Sequence, residues 1–150
     1  MIAYPDTSFL CAIYRLQDNS PLAAALFQAM PEPLAVSSLL LFEFRQSVRF
    51  QTALYAKDRR KGYPPAEAAK MLADLGADLA SGAMVIVPAE WPEVHSIAER
   101  LSAQHTPRGA HRALDVLHVA TAMHLGARDL LTFDANQAAL AKAEGLAVRP

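Results

Sequence analysis

Short apolar runs alternate with longer helical segments along all 150 residues of the chain. The runs are the length of strands and are rich in aliphatic or β-branched residues. They are MIAY (1–4), LAVS (34–37), MVIVP (84–88), DLLTF (129–133) and LAVRP (146–150). Between them lie segments with helix signals, such as Ser37 or Ser38 before a long helical stretch. This alternation predicts an α/β fold in three layers, with a mostly parallel central sheet flanked by helices.

Local signals predict the boundaries of single elements. Thr7 or Ser8 is expected to cap a helix that begins near Phe9. The β-branched content of residues 84–88 predicts a buried strand. The stretch TPRGAHR (106–112) predicts a loop, because it combines proline, glycine and polar residues.

Composition restricts the class of protein. A length of 150 residues fits a single domain over residues 1–150, and 53% hydrophobic residues suffice for a core. The net charge of −1 excludes a basic surface spread over the whole molecule, so contacts to a polyanion need a local patch or a metal. Cys11 is the single cysteine, which excludes an intrachain disulfide and a cysteine zinc cage. We find no secretory signal or membrane span, and a cytoplasmic location is expected.

Four of the fifteen carboxylates lie in sequence positions that are not typical of a solvated surface. Asp6 and Asp134 follow predicted strands, and the carboxyl ends of parallel strands border the functional crevice of an open sheet. Glu43 and Asp115 lie among apolar residues in the first turns of predicted helices, which begin at the same edge. We therefore expect all four side chains to face one cleft.

A cluster of carboxylates in apolar surroundings needs a counter-charge, because the like charges repel one another. Stabilisation by helix dipoles is the simpler explanation for any one acid, but it amounts to only about 0.3–1 kcal/mol each. Oxygen ligands without cysteine or paired histidine ligands favour Mg²⁺ or Mn²⁺ over zinc. The sequence thus predicts a site for a hard divalent cation.

Three motifs make the sequence resemble the PIN-domain family, and in particular the VapC-type toxins of toxin–antitoxin pairs. They are DTSFL from Asp6, the helix that carries Glu43, and LDVLHVATAMHLGARDLLTFD with Asp115 and Asp134. The tail NQAALAKAEGL matches as well, so that the resemblance covers essentially the whole chain.

The resemblance implies an endoribonuclease that depends on Mg²⁺ or Mn²⁺, with Asp6, Glu43, Asp115 and Asp134 as its acidic site. It also implies a supporting hydroxyl at Thr132, a homodimer, and neutralisation by a small antitoxin. The three aspartates are the expected ligands. Glu43 is either a ligand or the base for the attacking water, and the number of metal ions stays open.

Several further side chains are candidates for supporting roles. His118 shares a helix face with Asp115 and either orients a carboxylate, contacts substrate, or is a core or rim residue without a role. Asn136 either hydrogen-bonds near Asp134 or caps the last helix, and we favour the cap. Four arginines are candidates for contacts to RNA phosphates, with solvated surface charge as the alternative: Arg45, Arg49, Arg108 and Arg112.

Two other functions fit an α/β chain with acids at strand ends. A phospho-acceptor domain would need a second acid near Asp6 and a lysine after LLTF, and the sequence has neither. A non-catalytic binding module would tolerate loss of the acids, whereas all four are present. We therefore expect a nuclease.

Overall fold

Five short strands form the centre of the protein in the computed structural model, which describes residues 3–150. Met1 and Ile2, the first half of the predicted strand MIAY, lie outside the described residues. The strands are β1 (Ala3–Pro5), β2 (Leu34–Val36), β3 (Met84–Ile86), β4 (Asp129–Leu131) and β5 (Ala147–Arg149). The helices are α1 (Thr7–Tyr14), α2 (Ser20–Gln28), α3 (Ser38–Lys57), α4 (Pro65–Ser81), α5 (Trp91–Gly109), α6 (Ala113–His124) and α7 (Ala135–Ala143).

Every strand pairing among the described residues is parallel, as the alternation of strands and helices predicts. β4 lies between β1 and β5, and β2 pairs with β3. Because β2 also packs beside β1, the strands cross the molecule in the order β3-β2-β1-β4-β5. The carboxyl ends of β1 and β4 are therefore adjacent at one edge of the sheet.

The helices pack in two groups around these strands. Helices α1 to α4 contact one another, and so do α5 to α7. Fully buried side chains fill the space between the layers, among them Tyr4 of β1, Phe44 of α3, Leu101 of α5 and Leu130 of β4. The predicted α/β class is confirmed.

Two predicted helix caps have different outcomes. Ser37 caps α3, and its hydroxyl accepts the backbone N–H of Leu40 at 3.2 Å. The first helix, however, is capped by Asp6, whose carboxylate accepts the backbone N–H of Phe9 at 2.9 Å. The prediction of Thr7 or Ser8 was wrong because α1 begins at Thr7, two residues earlier than the apolar run suggests, so that Asp6 directly after β1 takes the cap position.

The prediction that residues 84–88 form a buried strand was wrong in part. Met84 is buried, but Val85 and Ile86 are exposed. The reason is that β3 pairs only with β2 and lies at the end of the strand order. Its β-branched residues identify a strand correctly but carry no information on its position within the sheet.

The predicted loop at residues 106–112 is shorter than expected. Helix α5 continues through Pro107 to Gly109 and ends where Ala110 adopts a left-handed conformation with φ of 50°. Proline disfavours a helix interior, but packing of α5 against α6 outweighs this local preference.

We expect Leu130→Ala to lower the free energy of unfolding by about 2–5 kcal/mol, because it leaves a cavity beneath the central strand. Leu16→Ala is the matched control, since Leu16 is 90% exposed and its truncation should cost less than about 0.5 kcal/mol. Urea denaturation followed by circular dichroism measures both values. Equal losses in the two variants would contradict the position of β4 in the core.

Candidate acidic site

The candidate site forms where β1 and β4 end side by side. The backbone N–H of Asp6 donates to the carbonyl of Leu131 at 3.0 Å, one residue beyond the end of β1. The hydroxyl of Thr132 then donates to Oδ2 of Asp6 at 2.6 Å. A residue at the start of the chain and one near its end are thereby joined.

Asp6 is a buried carboxylate surrounded by neutral donors. Its side chain is 3% exposed and accepts hydrogen bonds from the Ser8 hydroxyl at 2.7 Å, the Phe9 amide and Thr132. Burial raises the pKa of Asp6, although these hydrogen bonds and the nearby His118 oppose the increase. No lysine or arginine in the described part of the chain pairs with it.

Glu43, in the second turn of α3, is held by side chains from two other helices. Its Oε2 lies 2.5 Å from Nε2 of His118 on α6 and accepts a hydrogen bond from the hydroxyl of Thr7 on α1. Burial would raise the pKa of Glu43, but the hydrogen bond and charge of His118, together with Thr7, lower it below its usual value. Glu43 is therefore ionised at neutral pH.

His118 connects Glu43 to the end of β1. The imidazole is 1% exposed, and because a carboxylate only accepts, Nε2 carries the proton toward Glu43. Nδ1 lies 3.5 Å from the hydroxyl of Tyr4, which in turn lies 2.6 Å from the hydroxyl of Ser37. This chain of contacts holds the ring in one orientation, as expected of a histidine that orients a carboxylate.

Asp115 lies in the first turn of α6, half-buried, where its Oδ2 accepts the backbone N–H of Arg112 at 3.3 Å. Burial raises the pKa of Asp115, and the negative charges of Asp134 and Glu43 raise it further. The charge of Arg112 and the hydrogen bond from its backbone N–H act in the opposite direction. Asp115 is thus within electrostatic range of two other predicted site residues.

Asp134 is exposed and caps α7. Its Oδ1 accepts the backbone N–H groups of Asn136 at 2.8 Å and Gln137 at 2.9 Å. The prediction that Asn136 caps this helix was wrong, because the helix begins one residue after Asp134 and Asn136 supplies only a backbone donor. The amide of Asp134 donates to the hydroxyl of Thr132 at 2.9 Å, so Thr132 links Asp134 to Asp6.

Ser8 and Thr7 complete the hydrogen-bond network around the acids, although we did not predict either of them as a site residue. Ser8 donates to Asp6 and accepts the backbone N–H of Phe133 at 2.8 Å, while Thr7 donates to Glu43. Both follow Asp6 directly in the sequence. Hydroxyls next to an acid at a strand end are the signal that could have found them, because such groups orient carboxylates without neutralising them.

The four acids surround one region but do not form a ready-made set of ligands. No group of three or more His, Cys, Asp or Glu side chains within residues 3–150 is placed to hold a metal ion. Both oxygens of Asp6 accept hydrogen bonds, whereas one oxygen each of Glu43, Asp115 and Asp134 does so. The donor chemistry fits Mg²⁺ or Mn²⁺, which keep several waters and need only a few protein carboxylates.

The four candidate arginines lie in three segments of the chain, α3, the end of α5 and the residue before α6. Arg112 precedes α6, and its charge acts on Asp115. Arg45 is half-buried and Arg49 exposed on α3, and Arg108 is exposed in the last turn of α5. None of the four forms an ion pair with an acid in the part of the chain that the structure describes.

The sequence matches the family model of the PIN domain over residues 3–143. This chain belongs to the PIN domain family. The match includes all four acids and Thr132, so the strand-end arrangement described above lies within the family's domain. No curated protein matches the chain.

Solved structures share this PIN fold at low sequence identity. VapC20 of Mycobacterium tuberculosis, a toxin that cleaves the sarcin–ricin loop, has a TM-score of 0.67 at 20% identity, covering 99% of each chain. FitAcB of Neisseria gonorrhoeae has a TM-score of 0.67 at 19% identity, over 100% of this chain and 97% of the other. VapBC2 of Rickettsia felis, bound to a promoter DNA fragment, has a TM-score of 0.63 at 16% identity, over 99% and 98%.

We expect Asp115→Asn to stabilise the protein in the absence of divalent cations, and increasingly so as pH rises. Folding raises the pKa of the Asp115 carboxyl, so its ionisation destabilises the folded state. The wild type therefore loses stability as pH rises from the ordinary aspartate pKa through the higher pKa of the folded protein. Asparagine stays neutral and can still accept from the Arg112 amide. Thermal unfolding in EDTA across the acid and neutral range measures the difference between the two proteins.

Asp18→Asn, at an exposed turn position, is the matched control and should show little difference at any pH. Destabilisation of the Asp115→Asn variant at every pH would show instead that Asp115 has an essential structural partner.

Proposed function

We propose that this chain is an endoribonuclease dependent on Mg²⁺ or Mn²⁺ and the toxin of a toxin–antitoxin pair. The observation that carries the proposal is a buried carboxyl group, Asp6, that accepts hydrogen bonds from Ser8, Phe9 and Thr132 but pairs with no lysine or arginine within residues 3–150. Such a group is costly to bury and is compensated by a bound cation.

The comparisons support the biological setting. The chain belongs to the PIN domain family, and VapC20 with the same fold is a toxin that cleaves RNA at the sarcin–ricin loop. Structures of FitAB and VapBC from other bacteria share the fold. We therefore propose a cognate antitoxin as a protein partner and RNA as the substrate.

Asp6, Asp115 and Asp134 would hold the cation, directly or through water, with Glu43 as a further ligand or as the base. When bound, a divalent cation neutralises charge at the phosphodiester and makes water more acidic. The aspartates lie on three different elements, so their positions are set by the packing of α1, α6 and α7 at the sheet edge.

Glu43 has one oxygen that is free to act on water. Its Oε2 receives Thr7 and His118, whereas Oε1 has no hydrogen-bond partner among the described residues. The fixed Oε2 sets the direction of Oε1, which can accept a proton from the attacking water. His118 is a positioning residue in this scheme, because it acts through Glu43.

RNA contacts are assigned to the candidate arginines. The charge of Arg112 acts on Asp115, and Arg108 lies shortly before it in the sequence, in the last turn of α5. On α3, Arg45 and Arg49 extend from the helix that carries Glu43. We propose that these four contact phosphates, which positions RNA without reading its sequence.

The remaining proposals concern the protein as a whole. We propose that residues 1–150 act as one domain, as a homodimer, in the cytoplasm. No helix among residues 3–150 combines the length and apolar character needed to cross a bilayer.

We expect Asp6→Asn to reduce cleavage of RNA by more than about 100-fold, since loss of a principal ligand removes several kcal/mol of transition-state stabilisation. The measurement uses purified protein, a labelled RNA mixture, and Mg²⁺ or Mn²⁺ against EDTA. Asp18→Asn is the matched control and should retain full activity, because it lies on an exposed turn.

Wild-type cleavage that persists in EDTA, or that Asp6→Asn leaves unchanged, would contradict the proposed mechanism. Absence of cleavage by folded wild type with either metal, over a broad set of RNAs, would favour the non-catalytic binding module.

A further inference from the structure

A cavity of about 630 Å³ opens between α5 and the first turns of α6. Small side chains leave this space, because Ala98, Ser102 and Thr106 recur every four residues along the face of α5 that lines it. Its volume lies within the range of about 300–1,000 Å³ that is usual for ligand sites. We call it the α5–α6 cavity, and its polar lining includes Glu99, Ser102, Thr106 and His111.

Unpaired polar atoms concentrate at this cavity. Among residues 3–150, three buried side-chain atoms have no hydrogen-bond partner, and two of them belong to its lining, namely the hydroxyl oxygen of Thr106 and Nδ1 of His111. Most buried polar atoms in folded proteins are paired, because leaving one unpaired is unfavourable. A ligand in the cavity would offer each of these two atoms a partner after a small rotation of its side chain.

The imidazole of His111 packs against Gly109. A methyl group at position 109 would collide with this ring, so the glycine leaves the space that the ring occupies. His111 lies between Arg108 and Arg112 in the sequence, and both arginines are exposed. This combination suits a nucleotide, because an imidazole can stack on a base while arginines contact the phosphates on either side.

The α5–α6 cavity adjoins the acidic site across the first turn of α6. Ala113 and Val116 line the cavity, whereas Asp115, which lies between them in sequence, belongs to the acidic site. The two sites therefore share one helical turn. An RNA strand that crosses this turn would place a phosphate near Asp115 and a neighbouring base at the cavity.

We propose that the α5–α6 cavity binds one unpaired base of the RNA substrate, and that this base is guanine. The inference rests on the proposed function and deepens it by naming a base that the protein reads. Single-stranded RNA is usually recognised in this way, with a base turned out of its stack and hydrogen-bonded along its pairing edge.

Glu99 determines the choice of base. It is exposed, it lines the cavity, and it forms no ion pair in the part of the chain that the structure describes. An ionised carboxylate only accepts hydrogen bonds, and guanine presents two adjacent donors on its pairing edge, N1–H and the N2 amine. Adenine and cytosine place an acceptor beside their amine, and uracil has carbonyls on both sides of its N–H, so a carboxylate disfavours these three bases.

Other lining residues complement the rest of a guanine ring. The hydroxyls of Ser102 and Thr106 can donate to the O6 carbonyl, which is an acceptor. Val116 and Leu117 supply an apolar surface for the face of the ring. The cavity thus combines an acceptor for one part of the base, donors for another, and apolar contacts between them.

The test measures RNA binding in EDTA, so that it does not depend on cleavage. Fluorescence anisotropy compares labelled single strands of about six uridines with and without one central guanosine. We expect the wild type to bind the strand with guanosine at least about tenfold more tightly, as a bidentate base contact would give. Glu99→Ala should bring the ratio of the two affinities close to one.

Glu93→Ala is the matched control for this variant. Glu93 is an exposed carboxylate on the same helix that does not line the cavity, so its removal changes the net charge equally and should leave the ratio unchanged. A ratio of affinities is the appropriate readout, because loss of a negative charge strengthens binding of both strands alike.

A second pair of variants tests the cavity itself. Gly109→Ala displaces the imidazole of His111 and should also lower the ratio. Gly76→Ala adds the same methyl group on α4, where nothing lies within 4 Å, and should leave the ratio unchanged. Circular dichroism checks that both variants are folded.

Four results would overturn the proposal. They are equal binding of the two strands by the wild type, no binding of either strand at millimolar concentrations, a preference that Glu99→Ala retains, and a preference that folded Gly109→Ala retains. Guanosine monophosphate serves as a competitor. If it bound more tightly than the strand with guanosine, the cavity would belong to a free guanine nucleotide and the assignment to RNA would be wrong.

The outcome is separable from that of the proposed function. Cleavage that depends on Asp6, without a preference for guanosine, would refute the guanine site alone. A preference for guanosine that depends on Glu99, in a protein that cleaves no RNA, would retain the guanine site and refute the nuclease.

Discussion

The structure depends on a buried carboxyl group, that of Asp6, at the junction of β1, α1 and β4. The carboxylate of Asp6 caps α1 through Phe9, accepts the Ser8 hydroxyl, and accepts the hydroxyl of Thr132 from the far end of the chain. These bonds fix where β1 ends and how the segment after β4 approaches it. They hold the carboxyl group in place with neutral donors, and a bound cation would lower the cost of burying it in its ionised form.

The other acids are also held by hydrogen bonds, from side chains of other helices for Glu43 and from backbone amides at the start of their own helices for Asp115 and Asp134. His118 orients Glu43 across two helices, and Thr132 links Asp134 to Asp6. Because none of the four acids pairs with a lysine or arginine among residues 3–150, their negative charges add together, and the charges of Asp134 and Glu43 raise the pKa of Asp115 in addition to burial. An acidic cleft of this kind can accept an anionic substrate once a divalent cation is present.

The sequence predicted the α/β class, the parallel strands, and the positions of Asp6 and Asp134 after strands, because those depend on local information. Alternation of strands and helices places Asp6 and Asp134 at strand ends whatever the details of packing. The contact between His118 and Glu43 could not be predicted, because the two residues are 75 positions apart in the sequence. They meet only through the way α6 and α3 are placed in the folded chain. The exposure of Ile86 likewise depends on the place of β3 in the sheet, which composition does not encode.

The central claim is that Asp6, Glu43, Asp115 and Asp134 jointly hold a hard divalent cation. Anomalous diffraction from crystals of the protein soaked in Mn²⁺ tests it most directly. The account predicts manganese density in the cleft between these side chains, with oxygen ligands from at least two of the aspartates and from water. Well-ordered, empty density in the cleft at millimolar Mn²⁺, or manganese bound only at surface carboxylates elsewhere, would contradict it.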